Sequence, residues 1–162
     1  MTQIRPARED DLATVAAIYN AEVEGGVGTF DTLAKGPDHF AHRLAPEVPG
    51  DVFLVVEDGA DVVGFAYSGP FRPRPAYAGT RETSVYLASA ARGRGLGRAL
   101  YAELLERLDA AGVHTALAVV ALPNEASEAL HRSLGFERVG VLREVGHKLG
   151  RYVDTAWWQR LP

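Results

Sequence analysis

The sequence VYLASAARGRGLGRALY, residues 85–101, decides the fold of this chain. An apolar run enters the stretch, three glycines alternate with other residues between Gly93 and Gly97, and a helical pattern leaves it. Leucines recur every fourth residue from Leu100 to Leu108, which is the buried stripe of an amphipathic helix. The pattern therefore predicts a strand, a glycine-rich turn and a long helix that ends at Gly112.

The glycine-rich turn has the properties of an anion-binding loop. Glycines between a strand and a helix let backbone N–H groups point into one shared space, where the helix dipole also favours phosphate oxygens. Arg92, Arg94 and Arg98 add positive charge. A tight turn without a ligand is the other interpretation of this stretch. The dinucleotide fingerprint does not fit, because its third glycine falls on Arg98, and no Walker Gly-Lys-Ser/Thr tripeptide occurs.

Composition narrows the classes of protein. The chain has 162 residues, of which 47% are hydrophobic and 23% charged, as expected for one globular domain over residues 1–162. A net charge of −4 disfavours non-specific binding to nucleic acid. The absence of cysteine excludes disulfides, thiolate zinc sites and a cysteine nucleophile, and the five scattered histidines predict no metal site. Neither a signal segment nor an apolar run of about 20 residues occurs, so we expect a cytoplasmic protein without a membrane partner.

The order of predicted elements is β-α-α-β-β-β-α-β-α-β-β. Residues 20–28 lose the helical period and contain three glycines, so we expect a flexible loop there. Antiparallel hairpins followed by a β-α-β unit predict an α+β domain with a mixed, mostly antiparallel sheet.

A family resemblance follows from motifs along nearly the whole chain. RGRGLG at residues 92–97 resembles the acetyl-CoA pyrophosphate loop, Arg/Gln-x-x-Gly-x-Gly, of the GNAT N-acetyltransferase superfamily. Further segments resemble its phosphinothricin and methionine sulfoximine acetyltransferase branch: AIYN (17–20), SGPFRPRPAY (68–77), ETSVY (82–86), ALPN (121–124), LHRSLGF (130–136) and WWQR (157–160). This resemblance implies a GNAT fold of about seven strands and about four helices, acetyl-CoA as cosubstrate, a small amino-acid-like amine as acceptor, and a homodimer.

The resemblance also implies roles for individual residues. Glu82 matches the proposed general base, although a strand-end glutamate is often simply solvated. His131 stands where other members carry an acid for the departing thiolate, and packing against the next strand is an equal alternative. A backbone N–H near Tyr86 or Leu87 is expected to stabilise the oxyanion. The expected acetyl-CoA contacts are Val85, Tyr86, Leu87, Arg92, Gly93, Arg94, Gly95, Leu96, Gly97, Arg98 and Asn124, the last also a helix cap.

Substrate contacts are expected from two further segments and one aromatic residue. Arg72, Arg74 and Tyr77 match the substrate loop of the branch, and an arginine fork suits an oxyanion, although a solvated arginine is the alternative. Phe30 is a candidate pocket wall. Lys148 lies in a segment that resembles Gly-x-Lys-x-Gly-x-Trp-x-Asp, where Tyr152 replaces the tryptophan.

These features favour direct acetyl transfer in a ternary complex. No cysteine is present and no serine has a recognisable nucleophile setting, so no acetyl-enzyme is expected. Two rival functions remain: acetylation of a peptide or protein N-terminus, and a non-catalytic acyl-CoA-binding module.

Overall fold

The computed structural model describes residues 1–162 and has seven strands in one sheet, in the order β1-β2-β3-β4-β5-β7-β6. The strands are β1 (Thr2–Pro6), β2 (Phe53–Asp58), β3 (Asp61–Pro70), β4 (Thr80–Leu87), β5 (Thr115–Ala121), β6 (Glu137–Lys148) and β7 (Arg151–Arg160). The helices are α1 (Leu12–Gly25), α2 (Asp38–Ala41), α3 (Leu96–Ala110) and α4 (Glu125–Ser133). This order confirms the α+β GNAT architecture expected from the sequence. No helix is both long and apolar enough to cross a membrane.

The sheet is antiparallel except between β4 and β5, and this parallel pair opens into a cleft. Only Thr80–Glu82 pair with Thr115–Leu117, whereas β4 continues to Leu87. Beyond Glu82 the two strands therefore diverge, which leaves one edge of β4 without a partner strand. The glycine loop follows at the open end, as the sequence predicts.

Helices cover both faces of the sheet. On one face, the leucine stripe of α3 packs with β-strand residues and with Trp158 in a cluster of 14 buried residues. On the other face, Val15 and Tyr19 of α1 join Phe40 and Phe65 in a second cluster of 10. The cleft between β4 and β5 connects these two faces.

Helix α1 is longer than the sequence pattern indicates. The expectation of a flexible loop over residues 20–28 is wrong for its first six residues, because α1 ends at Gly25. The side-chain amide of Asn20 donates to the Lys35 carbonyl and accepts from the Lys35 backbone N–H, both at 2.8 Å. Val23, one turn further on, is buried. These tertiary contacts stabilise helical turns that local sequence does not favour.

Candidate functional site

The glycine loop requires glycine for two different reasons. Gly93 and Gly95 have φ of +74° and +79°, which side chains disfavour, although a Cβ at either would have open space. At Gly97 the reason is contact: a Cβ would lie 3.0 Å from Cδ1 of Leu87. The missing side chain lets the first turn of α3 lie against the end of β4.

Free backbone donors surround this loop. The amides of Gly93, Arg94 and Gly95 donate to no acceptor within the chain, and the first-turn amides of α3 have no intrahelical acceptor. Several N–H groups that share one space at a helix N-terminus suit an anion with several oxygens, such as a pyrophosphate. The loop therefore fits the pyrophosphate of coenzyme A.

The three arginines near the loop differ in their partners. Arg92 Nη2 lies 2.6 Å from Glu22 Oε1, and Arg94 Nη1 lies 2.7 Å from Asp58 Oδ2. Arg98 forms no ion pair and is exposed. Its guanidinium is thus the one in this group that is free to bind an added anion.

A cavity of about 500 Å³ extends from the loop into the cleft between β4 and β5. Nine of the eleven expected acetyl-CoA contacts line it: Val85, Tyr86, Leu87, Arg92, Gly93, Gly95, Gly97, Arg98 and Asn124. Arg94 and Leu96 do not, because Arg94 turns to Asp58 and Leu96 is buried. Asn124 caps α4, where its Oδ1 accepts a 3.1 Å hydrogen bond from the Ser127 amide.

The open edge of β4 presents alternate backbone amides to this cleft. Ala88 N donates to Val63 O of β3, and the register from Leu87 back to Arg81 is regular. Because successive residues of a strand face opposite neighbours, the amides of Val85 and Leu87 point into the cleft and that of Tyr86 points to β3. Of the two expected oxyanion donors, Leu87 therefore has the suitable direction.

One wall of the cavity is a buried polar network. Tyr101 Oη lies 2.7 Å from Thr83 Oγ1 and 3.3 Å from His131 Nε2. Thr83 Oγ1 donates to the Leu117 carbonyl at 3.0 Å, and His131 Nδ1 lies 2.7 Å from the Ser127 carbonyl, which can only accept. The neutral imidazole therefore carries its proton on Nδ1. Burial lowers the pKa of His131 and raises the pKa of Tyr101, so both are uncharged near pH 7.

A second cavity, of about 530 Å³, lies on the face of the sheet that α1 and α2 cover. Glu82 and Ser84 of β4 line it, and Ser84 also lines the first cavity, so the two cavities meet there. Glu82 forms no hydrogen bond or ion pair with another side chain, and its burial raises the pKa of the carboxyl group. A raised pKa is suited to a general base that works near neutral pH.

The expected substrate residues lie outside both cavities. Arg72, Arg74 and Tyr77 are exposed, and the Tyr77 ring packs edge-on against Phe71 at 5.4 Å between centroids. Phe30 is 39% exposed and contacts the backbone of β6 at Gly146.

The Lys148 side chain binds backbone carbonyls inside the chain and does not line either cavity. Its side chain is only 4% exposed, and its ammonium donates 2.8 Å hydrogen bonds to the carbonyls of Glu22 and Thr29. These bonds tie β6 to the end of α1 and to the segment that follows. This is a correction to the expectation that Lys148 reaches the substrate directly, because the side chain is buried and two of its three N–H donors already have acceptors in the chain.

Sequence reasoning missed several cavity residues. Tyr101 has the spacing of a core residue and is fully buried, so nothing in the pattern reveals that its hydroxyl lines a cavity. Ser84 lies in the ETSVY segment but receives no role from it, and Arg43, which lies in none of the quoted segments, is brought into the cavity of Glu82 only by the fold. The alternation of β4 was a usable signal for Ser84, since residues 82 and 84 share one face of the strand.

An amide-lined anion loop, a cleft that exposes strand amides and an unpartnered carboxyl group at its end define an enzyme of acyl transfer from a coenzyme A ester. Comparisons with known proteins agree with that class. The sequence-family model of the acetyltransferase (GNAT) domain matches residues 4–157, and the chain belongs to this family of acetyltransferases.

Individual relatives cover nearly the whole chain. It is 45% identical over 163 residues to a phosphinothricin N-acetyltransferase of Streptomyces coelicolor, covering 98% of this chain and 95% of that protein. It is 38% identical to an L-methionine sulfoximine/L-methionine sulfone acetyltransferase of Pseudomonas paraeruginosa, with 96% and 92% covered. The structure of a phosphinothricin acetyltransferase from Sinorhizobium meliloti in complex with AcCoA superposes with a TM-score of 0.92 at 37% identity, with 99% and 88% covered.

Proposed function

We propose that this protein acetylates the α-amine of phosphinothricin, methionine sulfoximine, methionine sulfone or a similar amino acid, by direct transfer from acetyl-CoA. The observation that carries the proposal is the junction at Ser84, where the coenzyme cavity meets a second cavity that contains an unpartnered Glu82. An amine in the second cavity would lie between that carboxylate and a thioester in the cleft. The named relatives support the choice of amine.

In the proposed mechanism, the chain's own groups act in sequence. The loop amides and Arg98 bind the pyrophosphate, and Asn124 and the open edge of β4 guide the pantetheine arm. Glu82 takes a proton from the substrate ammonium, and the neutral nitrogen attacks the thioester carbonyl. The amide of Leu87 stabilises the oxyanion. The carbon–sulfur bond then breaks, and the nitrogen loses its second proton to solvent as the amide product forms.

Protonation of the departing thiolate falls to the wall formed by Tyr101 and His131. The neutral His131 ring has no proton on Nε2, whereas Tyr101 keeps its hydroxyl proton because burial raises its pKa. We propose that Tyr101 gives its hydroxyl proton to the departing sulfur and regains a proton from solvent, and that His131 positions the Tyr101 hydroxyl. This refines the expectation that His131 itself is the acid.

The other expectations enter the proposal with separate support. We keep Arg72, Arg74, Tyr77 and Phe30 as proposed contacts of a substrate that extends beyond the cavities, because their side chains are exposed. A homodimer is supported by the long edge strand β6, which exposes Val139, Val141, Leu142 and Val145 by 40–64% of their surface. We propose a cytoplasmic enzyme without nucleic-acid partners, in keeping with its net charge of −4.

The test is release of the coenzyme A thiol from acetyl-CoA with a panel of amines. We expect turnover of L-phosphinothricin, L-methionine sulfoximine or L-methionine sulfone and none of peptides with free N-termini. Glu82→Gln should lower kcat by about 10²–10⁴ and remove the rise of kcat/KM with pH, because a base of this kind contributes about that factor. Glu106→Gln, on the exposed side of α3, is the matched control.

Three results would overturn the proposal or one of its parts. Turnover of peptides alone would favour acetylation of a peptide or protein N-terminus. Binding of acetyl-CoA without release of its thiol in the presence of any amine would favour a non-catalytic acyl-CoA-binding module. A Glu82→Gln variant with the full rate at every pH would remove Glu82 as the base.

A further inference from the structure

The second cavity contains a guanidinium that the proposed mechanism does not use. Arg43 lies in the 3₁₀ turn His42–Leu44 that follows α2, and its side chain lines the cavity. Its Cζ lies 3.6 Å from the centroid of the Tyr67 ring, so the guanidinium stacks on the aromatic face and is held there. The residue is half-buried.

The strand register places this guanidinium and Glu82 over the same face of the sheet. Tyr67 pairs with Ser84, and Gly69 pairs with Glu82, across the antiparallel strands β3 and β4. Directly opposite residues point their side chains to the same face of a sheet. Arg43 Nη1 lies only 3.5 Å from the place where a Cβ on Gly69 would be, so the arginine covers the glycine that faces Glu82.

The guanidinium of Arg43 has no carboxylate partner within the chain. Three carboxylates line the cavity, those of Glu47, Asp51 and Glu82, and Asp51 is paired with Arg81 at 3.4 Å. Arg43 takes part in no ion pair of the chain. A cavity with surplus carboxylates suits a cationic amine, and the single free guanidinium within it suits an anionic group on the same molecule.

We propose that Arg43 binds the α-carboxylate of the substrate while Glu82 receives the proton of its α-amine. The inference rests on the proposed function and adds to it the residue that recognises the carboxylate of the amino acid. In such a molecule the carboxylate is attached to the carbon that carries the amine, so a cation that binds it must lie in the same cavity as the base, as Arg43 does. A planar fork binds a carboxylate through two parallel hydrogen bonds, and stacking on Tyr67 fixes its plane.

The experiment compares L-methionine sulfone, L-phosphinothricin and 3-(methylsulfonyl)propan-1-amine, which is the sulfone without its carboxylate. The variants are Arg43→Gln, Arg43→Lys and, as control, Arg107→Gln on the outer face of α3. Steady-state thiol release gives kcat and KM, and calorimetric titration in the presence of coenzyme A gives dissociation constants without turnover. Thermal unfolding checks that each variant is folded.

We expect Arg43→Gln to raise KM and the dissociation constant of both amino acids by at least about tenfold, since hydrogen bonds to a charged group are lost, with little change in kcat. The decarboxylated amine should bind equally to wild type and variant. Arg43→Lys should be intermediate, because it keeps the charge and loses the fork. Arg107→Gln should match wild type.

Two outcomes would overturn the inference. Unchanged constants for both amino acids in a folded Arg43→Gln variant would mean that Arg43 binds no substrate anion. A loss with phosphinothricin alone would mean that Arg43 binds the phosphinate and not the α-carboxylate. If wild type itself releases no thiol from acetyl-CoA with any of these amines, the proposed function fails instead. The binding titrations then decide whether Arg43 binds the carboxylate.

Discussion

The Nε2 atom of His131 lies 3.3 Å from the hydroxyl oxygen of Tyr101, and while the imidazole is neutral only the tyrosine hydroxyl can donate across this contact. Thr83 Oγ1 lies 2.7 Å from the same hydroxyl and donates to the Leu117 carbonyl at 3.0 Å, so it is a second acceptor for the tyrosine proton. Nε2 and Thr83 Oγ1 therefore compete for the single proton of Tyr101. A proton added to Nε2 would complete a chain that runs from His131 through Tyr101 and Thr83 to Leu117.

This arrangement predicts a defined tautomer and titration for His131. We expect its ring to be protonated on Nδ1 at pH 7 and to titrate below its usual pKa of 6.5, because burial disfavours the cation. Long-range nitrogen–proton NMR spectra of the imidazole measure both properties. A ring protonated on Nε2, or one that is charged at pH 7, would contradict the prediction.

The variant Tyr101→Phe separates the hydroxyl from the ring in that network. It removes the acceptor for a protonated Nε2, so the pKa of His131 should fall further, and the lost buried hydrogen bond should lower the free energy of unfolding by about 1 kcal/mol. Slower thiol release with an unchanged KM for acetyl-CoA would support Tyr101 as the proton donor. A full rate would leave that role to solvent.

Glu82 is predicted to destabilise the folded protein at neutral pH. Its folded-state pKa lies above the ordinary 4.5, so the folded state binds more protons than the unfolded state between those two values. Stability must then decrease as pH rises through this window. Glu82→Gln, which cannot ionise, should have a higher Tm than wild type at pH 7–8.

The comparison across pH provides the control for that prediction. Below the unfolded pKa of 4.5 both residues are neutral, and the difference in Tm between Glu82→Gln and wild type should become small. Thermal unfolding at a series of pH values measures this difference. A variant that is less stable than wild type at pH 8 would show that the carboxylate is stabilised by its surroundings.

The sequence predicted the parts of this protein that follow local rules. The strand–glycine–helix unit has its own signature, and Asn124 caps α4 as expected, because both depend on neighbours in the chain. The contacts of Arg43 depend on β3 and β4, to which no local pattern refers. Arg94 lies in the motif and yet turns to Asp58, since a partner distant in sequence decides the direction of a long side chain.

The free guanidinium of Arg98 predicts a difference between two arginines of the same loop. Arg98→Gln should raise KM for acetyl-CoA by about tenfold or more, because a charge-assisted bond to phosphate is lost. Arg94→Gln should change it much less, since that side chain lies outside the cavity and forms an exposed pair with Asp58. Steady-state kinetics with acetyl-CoA varied measure both. Equal effects of the two substitutions would contradict the assignment.

Substitution of Lys148 tests whether this residue stabilises the fold or binds the substrate. Lys148→Met removes two charge-assisted hydrogen bonds, to the carbonyls of Glu22 and Thr29, and should lower the free energy of unfolding by about 1–3 kcal/mol. Glu22 also holds Arg92, and both residues line the coenzyme cavity. The substitution should therefore raise KM for acetyl-CoA and leave KM for the amino acid nearly unchanged.

The matched control is Lys35→Met, which removes a partly exposed ammonium 3.7 Å from Asp31 and should change neither stability nor kinetics appreciably. Urea unfolding gives the stability of each variant, and varying each substrate in turn gives the two KM values. A rise confined to KM for the amino acid, with stability unchanged, would mean that Lys148 leaves its two carbonyls to bind the substrate. We expect the opposite pattern, because a buried ammonium with two carbonyl acceptors has little to gain from a new partner.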